Sequence, residues 1–160
     1  LLAFSIANQV VNDAELKSSL KGIVAQQPAC VHPENCPPEY QHMYKSYTQN
    51  AKGTPVIDGE SMDQFYKAAN ADPKDATMFT ALATENHAKF PPTYITTCEF
   101  DPLRDDGYVM ESCLKKAGVP TKLDFYPGFP HYFWIFPTVP ESQQYAGNLL
   151  QGIGWVLSQM

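Results

Sequence analysis

The stretch Thr93-Tyr94-Ile95-Thr96-Thr97-Cys98-Glu99-Phe100-Asp101-Pro102-Leu103-Arg104-Asp105-Asp106-Gly107 decides how the rest of the chain is read. From Thr93 to Phe100 it is dense in β-branched and aromatic side chains, which suit a buried, pleated surface and predict a strand. Asp101-Pro102 ends that strand. Pro102 fits the first position of a helix, where its missing N–H costs nothing. Leu103, Met110, Leu114 and Ala117 return at helical spacing as a buried face, Lys115 and Lys116 complement the negative helix end, and Gly118 stops it. A strand that feeds directly into a helix is the repeating unit of an α/β fold.

The pattern extends outward in both directions. Lys122 to Tyr126 alternates in strand fashion and is expected to end at Pro127-Gly128, before an aromatic loop from Phe129 to Pro137. A last helix is predicted over 141–158, with Tyr145, Leu149, Ile153 and Val156 or Leu157 facing inward. Upstream, Leu2, Ile6 and Val10 recur at four-residue spacing and predict a helix ending near Asn12, while Gly22 to Gln27 reads as a short buried strand stopped by Pro28. Strands alternating with helices imply a parallel sheet joined by right-handed crossovers. Residues 28–92 read as cap-like or irregular connections. Within them Tyr40, Met43, Tyr44 and Tyr47 fall at i, i+3, i+4 and i+7, the spacing of one helix face, either packed on the body or forming the wall of a pocket. Ser61-Met62-Asp63-Gln64 has the form of a capping box opening a helix through Ala69, and a short turn is expected around Thr80 to Ala83.

Composition narrows the partners. The 160 residues carry 11 Lys+Arg against 17 Asp+Glu, a formal charge of -6, with no basic stripe to neutralise phosphates, so nucleic acid is not an expected partner. At 44% hydrophobic and 18% charged, and without an apolar run of the roughly 18 residues a membrane span needs, the chain reads as soluble and globular, cytoplasmic or secreted. Cys30 and Cys36 are near enough in sequence to form a disulfide, which would favour an oxidising compartment, or to remain thiols; Cys98 and Cys113 read as core thiols. The spacing of Cys30, His32, Cys36 and His42 matches no paired-ligand pattern, so neither a metal nor a cofactor is expected.

In an open parallel sheet, reacting groups gather outside the carboxyl ends of the strands. Asp101 follows the strand 93–100, and His131 lies in the loop after the next one. A carboxylate and an imidazole on neighbouring strand ends can meet, the acid fixing the ring's tautomer and the ring acting as general base. Each also has a plainer reading, Asp101 as a helix cap and His131 as a ring packed among aromatics. Their order along the chain, acid before histidine, is the one α/β-hydrolases use.

Cys98 to Gly107 resembles the acid-bearing motif of the hormone-sensitive-lipase-like carboxylesterases, a branch of the α/β-hydrolase fold. The resemblance implies that Asp101 is the triad acid, that Asp105 and Asp106 belong to the first helical turn, and that His131 is the catalytic histidine. That family usually carries Gly after the histidine, whereas this chain has Tyr132. Glu60 to Tyr66 and Lys115 to Pro120 add further likeness, and Leu1 to Asn12 resembles the helix that follows the family's nucleophile. The resemblance therefore places residues 1–160 in the C-terminal part of one α/β-hydrolase domain. No G-x-S-x-G elbow and no His-Gly-Gly loop occurs in the sequence. The implied function is a serine carboxylesterase for small, largely apolar esters, in which this chain supplies acid and base. The nucleophile and oxyanion hole would belong to an N-terminal half acting as its partner, so that the chain alone is inactive. Tyr132, Phe133 and Trp134 are candidates for lining the substrate pocket, or for core packing. A non-catalytic, receptor-like member of the fold and an inactive fragment are the alternative readings.

Overall fold

Strands β1 (Ile23–Gln26), β2 (Thr93–Phe100) and β3 (Thr121–Pro130) run parallel and hydrogen-bond in the order β1-β2-β3 in the computed structural model, which describes residues 1–160. β2 is central, and its side chains alternate between two helical layers. Ile95 packs with Phe4, Ala7 and Val11 of α1 (Leu2–Val10) and its C-cap, and with Val109, Met110, Cys113 and Leu114 of α4 (Arg104–Lys116). On the opposite face Cys98 packs with Tyr126 and with Tyr145 of α5 (Pro140–Ser158), and the Thr96 hydroxyl lies 3.3 Å from that of Tyr145. A strand covered on both faces has no polar side to show, which is why its sequence is a nearly unbroken run of β-branched and aromatic residues. No helix is long and apolar enough to cross a membrane.

Several boundaries differ from the sequence expectation, each for a local reason. β3 does not end at Pro127-Gly128 but bulges there and continues to Pro130: Cys98 pairs with Tyr126, and the next pair is Phe100 with Pro130. Gly128 takes φ +80° and donates its N–H to Glu99 Oε2 at 2.7 Å, which holds the bulge. Residues 40–47 do not form one helix. A 3-10 turn at Pro38–Tyr40 is followed by turns and then by the short α2 (Ser46–Gln49). The Lys45 and Ser46 N–H groups donate to Asp105 Oδ2, both at 2.7 Å, instead of to carbonyls one turn back, so a new helix starts there. Tyr40, Met43 and Tyr44 pack on the main core, and Tyr47 on a second cluster built around Met62, Tyr66, Phe79 and Leu103.

α3 (Gly59–Ala68) is capped by Asp58, which accepts from Ser61 N–H at 2.9 Å while Ser61 Oγ accepts from Asp58 N–H at 2.8 Å. The capping box is therefore Asp58 with Ser61, three positions before the predicted one, because the carboxylate binds the orphan amide. α1 stops at Val10, ahead of Asn12. α4 begins at Arg104, with Pro102 and Leu103 in the turn before it. In α5 it is Val156, not Leu157, that is buried. Cys30 and Cys36 are both buried free thiols, and burial raises the thiol of Cys36 to about 11.

Candidate active site

The register of the sheet sets the site. Phe100 on β2 is paired with Pro130 on β3, so the residues that follow, Asp101 and His131, leave the carboxyl end of the sheet side by side. His131 Nδ1 lies 2.7 Å from Asp101 Oδ2. An ionised carboxylate can only accept, so a neutral His131 ring facing it carries its proton on Nδ1 and keeps its lone pair on Nε2. Asp101 is fully buried, while the His131 side chain keeps 20% of its surface exposed. Asp101 Oδ1 accepts the Leu103 N–H at 2.8 Å, and Asn50 Nδ2 donates to the Asp101 carbonyl at 3.1 Å. Asp101 does not cap α4, whose N-cap is Leu103 and carries no side-chain cap: its Oδ1 closes a tight turn onto the Leu103 N–H, two residues on, while Oδ2 meets His131.

Asp105 and Asp106 do more than sit in the first turn of α4. Asp105 Oδ2 gathers the Lys45 and Ser46 amides, its Oδ1 pairs with Arg104 Nε at 2.8 Å, and Ser46 Oγ bridges to the Pro102 carbonyl at 2.8 Å. Asp106 Oδ1 accepts the Cys30 and Val31 N–H groups, both at 2.8 Å. Burial pushes the Asp106 carboxyl up to about 8 against the lowering effect of those two amides, and its Oδ2 is buried without a partner. The two acids therefore tie residues 28–50 to the helix that begins beside Asp101. Sequence reading assigned them no tethering role; the available signal was a run of acids at a helix start, which also suits simple dipole stabilisation.

A groove of about 450 Å³ opens on His131 and is lined mainly by apolar side chains, among them Ile57, Met62, Phe65, Met78 and Leu103. Three of these, Ile57, Met62 and Phe65, come from α3 and the residue before its cap. The aromatic residues singled out as pocket candidates go elsewhere. Phe133 is 1% exposed, in a cluster with Cys98, Tyr126 and Tyr145. Trp134 stacks on Tyr145 with ring centroids 4.0 Å apart and planes 5° from parallel. Tyr132 is exposed next to the His131 ring, and none of the three lines the groove. Phe133 is thus a core residue and Trp134 packs partly buried against the same cluster, where large rings leave water beside a buried strand.

The other histidines stand apart. His32 packs against Tyr66 and Phe79, His87 Nε2 lies 2.8 Å from the Thr80 carbonyl, and His42 is exposed. A parallel sheet with a buried acid and a histidine meeting at its carboxyl edge, beside an apolar groove, defines a protein of the α/β-hydrolase class. Comparison with known proteins agrees. Residues 2–135 match the model of an α/β hydrolase fold family. A versiconal hemiacetal acetate esterase of Dothistroma septosporum is 60% identical over 159 residues, 99% of this chain and 48% of that protein. A second esterase of that name, from Emericella nidulans, is 35% identical over 97% of this chain and 55% of its own length. The solved structure of a vibralactone cyclase superimposes with a TM-score of 0.89 at 32% identity, covering 98% of this chain and 46% of that one. The chain belongs to the α/β-hydrolase fold family, in its hormone-sensitive-lipase-like carboxylesterase branch, and spans about half the length of the curated relatives it matches.

Proposed function

We propose that this chain supplies the acid and the general base of a serine carboxylesterase acting on small, largely apolar esters. Asp101 orients His131, and His131 Nε2 takes the proton of a serine as it attacks the ester carbonyl. The ring then returns that proton to the leaving alcohol and later activates the water that releases the acid. The observation that carries this reading is the 2.7 Å contact between Asp101 and His131, with the ring's edge on an apolar groove. The groove's composition supports an apolar substrate, since each buried CH₂ contributes about 0.8 kcal/mol. No G-x-S-x-G occurs among these residues, so on this reading the nucleophile and the oxyanion donors lie in polypeptide outside them, and residues 1–160 form the C-terminal part of one domain. The retained acid and base favour turnover over a receptor-like role, which requires neither.

The test is active-site labelling of the assembled esterase with a fluorophosphonate. The label is expected outside residues 1–160, with p-nitrophenyl ester hydrolysis lost in parallel. Labelling of any serine in this chain would overturn the assignment.

A further inference from the structure

Gln27 occupies an unusual position. It is the first residue beyond β1, it is 4% exposed, and its backbone is left-handed at φ +44°. Its N–H extends the β1-β2 ladder to the Thr96 carbonyl at 2.9 Å. Its side chain makes two contacts: Oε1 accepts the Tyr132 N–H at 3.0 Å, and Nε2 donates to Cys98 Sγ at 2.7 Å. A backbone N–H can only donate, so the atom facing it must be the amide oxygen, and the orientation of the amide follows. One side chain thus links the carboxyl ends of β1 and β2 with the loop that follows β3.

Tyr132 is left-handed as well, at φ +60°. A non-glycine residue is held there only where its surroundings over-determine it. Tyr132 as a residue is 45% exposed and its ring meets Trp134 edge-on, so the side chain gives little purchase. The N–H that Gln27 receives belongs to the peptide plane joining His131 to Tyr132. On its other side His131 follows Pro130, which the pairing with Phe100 holds. Both flanks of the histidine are then set, one by the ladder and one by Gln27.

We propose that Gln27 is a positioning residue: by accepting the Tyr132 N–H it holds the 131–132 peptide in its left-handed turn and so keeps the His131 ring on Asp101. This rests on the reading of Asp101 and His131 as the catalytic pair.

The experiment compares Gln27→Met, which keeps the shape and loses the acceptor, with Gln27→Glu, which keeps the acceptor, in the complete esterase. Folding is checked by circular dichroism. In Gln27→Met, kcat for a p-nitrophenyl ester is expected to fall about ten- to hundredfold, as for a misplaced catalytic group, with KM nearly unchanged. The low-field proton resonance of His131 Nδ1–H should weaken in that variant, and Gln27→Glu should recover most of both signals. Unchanged kcat and resonance in Gln27→Met, or equal losses in the two variants, would overturn the proposal. If Gln27→Met does not fold, Gln27→Leu, which also lacks the acceptor, takes its place: a weakened resonance recovered in Gln27→Glu supports the proposal, and an unchanged one overturns it. His131→Ala is assayed in parallel: turnover surviving in it refutes the catalytic pair itself, and the resonance in the Gln27 variants then still decides whether Gln27 positions the ring.

Discussion

Asp101 Oδ2 and His131 Nδ1 meet at 2.7 Å because the residues before them, Phe100 and Pro130, are paired neighbours on adjacent parallel strands. The bulge at Gly128 makes that pairing possible, since it takes up the extra β3 residues between Tyr126 and Pro130. If the pair performs acid-base work, Asp101→Asn and His131→Ala in the esterase we propose should each lower kcat/KM on the order of 10³- to 10⁴-fold. Asparagine would also present a donor to Nδ1 and favour the wrong tautomer. Near-normal turnover in either variant removes that residue from the mechanism.

Asp106 predicts a pH dependence of stability. Folding raises its carboxyl from 3.8 to about 8, so the native state binds the proton more tightly than the unfolded chain does. Its contribution is complete below the unfolded value and is lost as pH rises through the folded one. Asp106→Asn can still accept the Cys30 and Val31 amides and cannot ionise. Urea unfolding at about pH 5.5 and about pH 8.5 should show a loss of stability at the higher pH in the parent that is smaller in the variant. An equal loss in both would show that Asp106 is not its source.

Asp105→Ala should destabilise the fold by at least about 2 kcal/mol, because the buried Ser46 amide and its neighbour Lys45 both lose their acceptor. The region around α2 should exchange its amide protons faster in that variant, which hydrogen-exchange mass spectrometry would detect. Uniform exchange across the chain would argue against a local tether.

Two glycines of α5 should respond with opposite sign. A methyl at Gly152 would fall within the ring of Tyr94, which is fully buried on β2, whereas a methyl at Gly154 meets nothing within 4 Å. Gly152→Ala is expected to cost about 1–3 kcal/mol through overpacking, and Gly154→Ala to stabilise by up to about 1 kcal/mol through helix propensity. Thermal melts of the two variants provide the comparison.

Much of this was legible in the sequence where a local pattern had one dominant cause. The run Thr93 to Phe100 had to be a buried strand, and the helix after Asp101-Pro102 ends at Lys116 with Ala117 as its cap and Gly118 next at φ +79°, the stop expected of it. Candidate roles for Asp101 and His131 followed from strand ends and chain order. Legibility failed where a distant partner competed with a local pattern. The helical spacing of Tyr40 to Tyr47 lost to a carboxylate more than fifty residues away that takes the Lys45 and Ser46 amides. The aromatic run after His131 was ambiguous between groove and core, and the contact with Tyr145 draws Phe133 and Trp134 toward the core while Tyr132 and Phe136 stay exposed.

The sequence by itself determined the alternation of strand and helix, the burial of β2 on both faces, and the placing of an acid and a histidine at consecutive strand ends. Those follow from side-chain chemistry read over a few neighbouring residues. Only the tertiary structure decided that Phe100 pairs with Pro130, that Asp105 and Asp106 fasten residues 28–50, and that Gln27 reaches the peptide after His131. Each of these joins residues at least 30 positions apart, and such hydrogen bonds depend on distances that exist only once the sheet has formed.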